Sequence, residues 1–283
     1  MYLFQQAQHL QLTLEKARSK NRKIGFVPTM GALHEGHLKL VQNACDANDL
    51  VVCSIFVNPA QFNDPADLAK YPRTIEKDLL ALSQTTVGCV YIPDISDVYP
   101  DKQAVEKYNF GRLESLLEGA HRPGHFEGVG MVVARLLRIV QPQQLYLGEK
   151  DYQQCLVIRD LLRQMKLDTK VELHICPTSR NNDGLALSSR NQRLTENGKH
   201  HASQIYTHLL QCRERYPYMK PDQLSDWAIH SLECTPGLKV EYFSFADAET
   251  LEPVNSWNDQ KHVRVLVAVW LEGVRLIDNA LLF

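Results

Sequence analysis

The chain reads as an α/β protein: a doubly wound parallel sheet followed by a smaller α+β domain at the C-terminus. Three observations predict this. Short strand-like runs alternate with segments of helical spacing, the rhythm of βαβ units in a parallel sheet. The run Leu50-Val51-Val52-Cys53-Ser54-Ile55-Phe56-Val57 is almost continuously apolar, as a strand covered on both faces has to be. After about residue 180 the alternation stops and helices precede strands. At 283 residues the chain is long enough for two domains, set at 1–180 and 181–283.

Taken in order, residues 3–20 carry Leu10, Leu12 and Leu14 among charged groups and read as a helix. Residues 23–29 are the first strand, and a small-residue turn after Pro28 leads to a helix over 38–48. The buried strand 50–57 stops at Asn58-Pro59. A helix over 74–83 has Thr74 as its cap, and 87–92 is another short buried strand. Residues 129–140 form a long apolar helix, 144–148 a strand ending in Gly148, 153–165 a helix and 170–176 a strand. Helices over 200–216 and 221–233 and strands over 239–245 and 263–271 make up the smaller domain. Ligands of such sheets bind at the carboxyl ends of the strands, where the strand order reverses.

Composition narrows the function. Hydrophobic content of 44% and charged content of 23% are those of an ordinary globular protein. With 31 basic against 33 acidic residues the net charge is −2, so the basic excess that marks a nucleic-acid footprint is missing. Seven cysteines are scattered, with no CxxC pair for zinc or redox chemistry, and read as reduced core residues of a cytoplasmic protein. The first twenty residues lack an apolar signal core, and no run reaches the roughly 18 apolar residues of a membrane span.

Polar clusters fall where the strands end. His34, Gly36 and His37 follow the strand–turn unit 24–33, so two imidazoles three apart share a helix face next to a positive dipole end, a place suited to phosphate. A surface histidine pair is the plain alternative, and a zinc site lacks an evident third ligand. Asn58 and Gln61 offer amides after the buried strand. Tyr71, Arg73, Thr74 and Asp78 surround a helix start. The stretch Arg122-Pro123-Gly124-His125-Phe126-Glu127-Gly128-Val129-Gly130 lacks dinucleotide spacing and reads as a mobile loop covering substrate. Lys150 follows a strand, and Ser188, Ser189 and Arg190 offer hydroxyls and a forked cation to phosphate oxygens. Neither a Walker A loop nor a GxSxG elbow occurs, so Ser188 is a poor nucleophile.

MGALHEGH resembles the HxGH signature of the nucleotidyltransferase superfamily, and LSSR its later phosphate loop. Together with SIFVNPAQF, YPRT, RPGHF, GEKDYQQ and DGLALSSRN, and with LVAVWLEGVRLIDN near the end, the chain is similar to the pantoate–β-alanine ligase family. That resemblance implies a Rossmann-like N-terminal domain binding ATP and pantoate, a smaller C-terminal domain closing over the site, and a cytoplasmic homodimer. It implies condensation of (R)-pantoate with β-alanine through a pantoyl-adenylate, using ATP and Mg2+ and releasing AMP and pyrophosphate. His34 and His37 match the HxGH pair, Gly36 lets backbone approach the nucleotide, and Met30 and Gly31 lie beside it. Gly148, Glu149, Lys150 and Asp151 match nucleotide contacts, with Lys150 on phosphate. Ser179 matches the backbone holding adenine, and Leu187, Ser188, Ser189 and Arg190 the mobile phosphate loop. Pro28, Thr29, Met30, Gln61, Tyr71 and Gln154 match the pocket for pantoate and β-alanine. Asp78 matches an acidic position near Mg2+, with Lys77 where some relatives carry a second acid. Another transferase of the superfamily would share HxGH and the serine loop without Gln61 and Gln154, and a non-catalytic binding module would show no turnover. Loops near 62–73 and 180–190 are expected to close over substrate.

Overall fold

The structure, a computed structural model, describes residues 1–100, 106–259 and 262–283. They pack as two units, Met1–Glu149 with Gln153–Pro177 and Lys150–Tyr152 with Thr178–Phe283.

In the first unit the elements run β1 (Tyr2–Phe4), α1 (Ala7–Arg18), β2 (Ile24–Thr29), α2 (Glu35–Ala47), β3 (Leu50–Ile55), α3 (Pro65–Lys70), α4 (Ile75–Ser83), β4 (Cys89–Tyr91), α5 (Ile95–Val98), α6 (Leu117–His121), α7 (His125–Val140), β5 (Gln144–Gly148), α8 (Tyr152–Gln164) and β6 (Glu172–Cys176). The six strands pair parallel in the order β1-β4-β3-β2-β5-β6. The chain winds outward from β2 in one direction through β3 and β4, then in the other through β5 and β6, so the order reverses between β2 and β5. Successive strand side chains leave opposite faces. Ile24, Phe26 and Val52 pack with Leu10 and Leu14 of α1, Val133 and Leu137 of α7 and Ile158 of α8. Val27, Val51, Cys53 and Ile55 pack with Leu40, Val41 and Ala44 of α2 and Leu82 of α4. Both faces are covered, which is why the strands carry no polar alternation.

The register holds a second feature. β2 and β3 pair over six residues, from Ile24↔Leu50 to Thr29↔Ile55. β2 and β5 pair only at Gly25↔Gln144 and Phe26↔Leu145. The β2–β5 pairing stops at Phe26 and Leu145, at the pair of strands where the order reverses, the place where doubly wound sheets receive ligands at their carboxyl ends.

The second unit contains α9 (Glu196–Arg215), α10 (Pro221–Glu233), β7 (Lys239–Asp247), β8 (Val263–Leu271) and β9 (Val274–Leu281), the strands forming an antiparallel sheet β7-β8-β9. Val263, Val265, Val267, Val269 and Leu271, alternate residues of β8, pack with Leu209 of α9 and Leu224, Ala228 and Leu232 of α10.

Three expectations are corrected. Residues 3–20 are not one helix: Tyr2, Leu3 and Phe4 pair parallel with Cys89, Val90 and Tyr91, and the helix begins only at Ala7. Strand pairing outside the reach of local spacing decides those residues. The third strand of the small sheet, β9, was not foreseen, because Asp278 and Asn279 are residue types that strands disfavour. Residues 125–130 are not loop: Gly124, at φ 78°, ends a turn, and α7 starts at His125.

No described helix is long and apolar enough to cross a membrane. All seven thiols are unbridged. Burial pushes Cys53 up to about 12, Cys89 to about 11 and Cys212 to about 12, so these stay protonated at neutral pH. Iodoacetamide at pH 8 is therefore expected to label exposed Cys234 in the folded protein, and Cys53, Cys89 and Cys212 only after unfolding. Peptide mapping that found Cys53 labelled as fast as Cys234 would contradict this packing.

Candidate active site

β2 ends in a turn whose shape is set by one side chain. Gly31 has φ 79° and Ala32 φ 48°, both left-handed. At Gly31 an added Cβ would lie 2.9 Å from Ile55 Cγ2, so glycine is required there on both counts. For Ala32 that backbone costs about 1–3 kcal/mol unless its surroundings impose it. Asp78 of α4 imposes it. Its Oδ2 accepts the Ala32 N–H at 2.9 Å, and its Oδ1 accepts the Leu33 N–H at 2.8 Å and the Thr74 hydroxyl at 3.1 Å. Thr29 Oγ1 donates to Ser54 O at 2.7 Å and accepts the Gly31 N–H at 3.2 Å.

The turn delivers the chain to α2 with His34 as N-cap and His37 in the first turn. The His34 N–H donates to His37 Nδ1 at 3.4 Å, and the two ring centroids lie 4.0 Å apart. With Nδ1 accepting, a neutral His37 carries its proton on Nε2. Both imidazoles and Gly36 are half-buried, at the positive end of a 13-residue helix.

Gln61 sits in the 3-10 turn after β3 and is buried, at 6% exposure. Its Nε2 lies 3.0 Å from Met30 Sδ. A thioether is a weak acceptor, so the amide keeps most of its hydrogen-bonding capacity for a ligand. Its backbone is held from below. His125 Nδ1 donates to Gln61 O at 2.7 Å, and Arg122 Nη1 meets His125 Nε2 at 3.0 Å. Asn58 Nδ2 donates to Gly128 O at 3.0 Å, and an added Cβ on Gly128 would lie 2.3 Å from Ala60 O. The segment 122–130 thus packs against the backbone of residues 58–61, with 125–130 in α7. Sequence reasoning missed His125 in this role. Pro123-Gly124 before an apolar run was the available signal, a turn followed by a helix start. Tyr71 is buried and meets Phe62 edge-on, with centroids 5.7 Å apart.

The remaining first-unit residues are Pro28 at the end of β2, Gly148 and Glu149 at the end of β5, and Gln154 in the first turn of α8. A Cβ on Gly148 would touch nothing within 4 Å, so the end of β5 faces open space.

The second unit assembles the other set. Lys150 and Asp151 form an ion pair at 3.5 Å, and the Lys150 carbonyl accepts Asn279 Nδ2 at 2.9 Å. Arg180 and Ala186 bridge the arms of a small hairpin, and the Leu187 N–H donates to Ser179 O at 2.9 Å. Ser188 Oγ then accepts the Arg190 N–H at 3.3 Å, opening a 3-10 turn over Ser189–Arg193 with Ser189 buried.

The expected Mg2+ position does not fit a cation. Asp78 is 2% exposed, and both its oxygens are engaged by the turn. Among the described residues no group of three or more histidines, cysteines or carboxylates could hold a metal. The metal role expected of Asp78 is corrected to a structural one; Thr74 stands at the N-cap of α4 as expected, with its hydroxyl donated to Asp78 and not to a capping bond.

Residues 2–281 match the sequence model of the family described as Pantoate-beta-alanine ligase. The pantothenate synthetase of Azobacteroides pseudotrichonymphae is 44% identical over 271 residues, covering 95% of this chain and 96% of its own. That of Christiangramia forsetii is 42% identical over 280 residues, covering 99% and 98%. The crystal structure of pantothenate synthetase from Thermus thermophilus superposes with a TM-score of 0.92 at 39% identity, covering both chains completely. That of pantoate-beta-alanine ligase from Francisella tularensis, complexed with Beta-gamma ATP and Beta-alanine, gives 0.83 at 35% identity, covering 100% of this chain and 98% of its own.

Removing the Asp78 carboxylate strands two backbone donors, each worth about 1–3 kcal/mol when left unsatisfied. Asp78→Ala is expected to lose about 2–6 kcal/mol of stability in urea unfolding. Mg2+ alone is expected to leave the melting temperature of the wild-type protein unchanged. A Mg2+-induced rise that Asp78→Asn abolishes would return the residue to a metal site.

Proposed function

The chain belongs to the pantoate-beta-alanine ligase family, and from that premise we propose how its residues carry out the reaction. The protein is an ATP-dependent ligase that condenses pantoate with β-alanine to pantothenate through a pantoyl-adenylate, releasing AMP and pyrophosphate.

The chemical problem is that a carboxylate is a poor electrophile. A pantoate oxygen attacks the α-phosphorus of ATP, the bond to the β-phosphate oxygen breaks, and pyrophosphate leaves. The β-alanine amine then attacks the acyl carbon, loses a proton, and AMP leaves. No protein nucleophile takes part, so the protein's task is to position and to stabilise charge.

The observation that supports this reading best is the reversal of strand order between β2 and β5, with the Asp78-held turn and then His34 and His37 following directly at the end of β2. His34 and His37 donate toward the phosphates as charge grows on them, and Gly36, Met30 and Gly31 lie against the nucleotide. Gln61 and Gln154 hold pantoate, with Gln61 also facing β-alanine, while Pro28, Thr29 and Tyr71 wall the pocket. Gly148, Glu149 and Asp151 contact the nucleotide and Lys150 its phosphates. Ser179 and Leu187 carry the backbone that receives adenine and starts the phosphate loop, and Ser188, Ser189 and Arg190 bind phosphate oxygens. Mg2+ arrives on the triphosphate of ATP, held by its oxygens and water. A cytoplasmic location agrees with the unbridged thiols, and a homodimer with the family resemblance.

Incubation with ATP, pantoate and β-alanine is expected to give pantothenate, AMP and pyrophosphate in equal amounts. Omitting β-alanine is expected to leave only a stoichiometric release of pyrophosphate. Pyrophosphate release without pantoate would contradict the reading. Lys150→Ala is expected to cut adenylation by about 10²–10³-fold, as loss of a preorganised donor does, and a native rate would remove Lys150 from the phosphate site. Gln61→Ala is expected to raise the KM for pantoate about 10–100-fold, the cost of a lost hydrogen bond to a charged group. An unchanged KM would exclude Gln61 from the pantoate pocket.

A further inference from the structure

Two neighbouring polar residues of β9, Asp278 and Asn279, are 4% exposed and belong to none of the roles given above. Adjacent strand residues leave opposite faces of a sheet. Each of the two grips a different segment of the second unit. Asp278 takes the guanidinium of Arg180 in a fork, Nη1 to Oδ2 at 2.5 Å and Nη2 to Oδ1 at 2.9 Å. Arg180 also donates to Gly184 O at 3.1 Å and lies over the Tyr206 ring at 3.6 Å, so the hairpin leading to Leu187 and Ser188 is anchored at its base. Asn279 donates Nδ2 to the Lys150 carbonyl at 2.9 Å, and its Oδ1 accepts from Arg264 Nη1. Arg264 in turn lies over the Tyr152 ring at 3.8 Å, and Tyr152 donates to Ala248 O at 2.7 Å.

We propose that the Asp278–Asn279 pair is a positioning device that fixes Lys150 and the Ser188-Ser189-Arg190 turn in register on one rigid strand. The argument is chemical. Both segments are single short 3-10 turns, whose hydrogen bonds alone hold geometry weakly. A triphosphate offers oxygens at fixed separations, and donors misplaced by about 1 Å lose on the order of 10²-fold in rate. Burying a carboxylate and an amide at successive positions of a strand is costly unless each is fully paired. Here each is paired, and to the backbone or anchor of a proposed phosphate-binding segment. A purely structural role would be served as well by apolar residues, as alternate positions of the same strand show at Val274 and Leu276.

The inference rests on the reading that Lys150 meets phosphate, and a double-mutant cycle separates the two. Pantoate-dependent pyrophosphate release is measured for Asn279→Ala, Lys150→Ala and both together. Asn279→Ala is expected to lower kcat/KM for ATP about 10–100-fold with the KM for pantoate unchanged. In the Lys150→Ala background the same change is expected to cost less than about threefold, because no ammonium remains to be misplaced. A full, additive loss in that background, or parent activity in Asn279→Ala, overturns the proposal while leaving Lys150 in place. Parent activity in Lys150→Ala overturns the phosphate reading and the proposal together. Should Asn279→Ala fail to fold, Asn279→Ser, too short to span to the Lys150 carbonyl, runs the same cycle with the same two outcomes. The cycle of Asp278→Asn with Ser189→Ala tests the other face in the same way, additivity again counting against the proposal.

Discussion

One buried carboxylate sets the conformation on which the first unit's site depends. Asp78 holds the N–H groups of Ala32 and Leu33 and so keeps two successive left-handed residues at the end of β2. Gly31 and the Thr29 hydroxyl begin the turn locally, but the left-handed backbone of Ala32 is held by this acid, 46 residues away in sequence. With it, the first turn of α2 starts at a fixed point, and His34, Gly36 and His37 face the carboxyl end of the sheet. The same acid sits in α4, a helix packed on β2 and β3, so the turn is tied to the core and not to solvent. Charge-assisted hydrogen bonds to backbone suit this purpose, being shorter and stronger than neutral ones.

The second unit uses the same principle with a different acid. Asp278 is buried to the point that desolvation raises its pKa, against the pull of Arg180. The pair is retained where apolar packing would be simpler, which is consistent with a demand for register in the segments it holds. His37 and Lys150, two of the residues proposed to meet phosphate, are half-buried, while Asp78 and Asn279, which hold their segments, are buried.

Much of this was legible in the sequence. The continuous apolar run at 50–57 announced a central parallel strand, and the strand–turn–histidine order of 24–37 announced a strand followed by a helix start. What was not legible depended on partners distant in the chain. Tyr2-Leu3-Phe4 is a strand only because Cys89-Val90-Tyr91 lies beside it, 87 residues away at the Tyr2↔Cys89 pair. Asp78 carried the charge of a metal ligand, and only the fold showed its oxygens turned to Ala32 and Leu33, 46 and 45 residues back. Asp278 and Asn279 spoke locally against a strand, and the two arginines that make them tolerable there are invisible to any local window.

In the proposed reaction the protein supplies hydrogen-bond donors and no nucleophile of its own. Ser188, already a poor nucleophile for want of a GxSxG elbow, caps a 3-10 turn through the Arg190 N–H. The account therefore requires that the pantoate oxygen itself become bonded to the α-phosphorus. Pantoate labelled with oxygen-18 in its carboxylate tests this directly, by mass spectrometry of the products of a single turnover. The account predicts one labelled oxygen in AMP and none in pyrophosphate. Unlabelled AMP, or label carried into pyrophosphate, would contradict it.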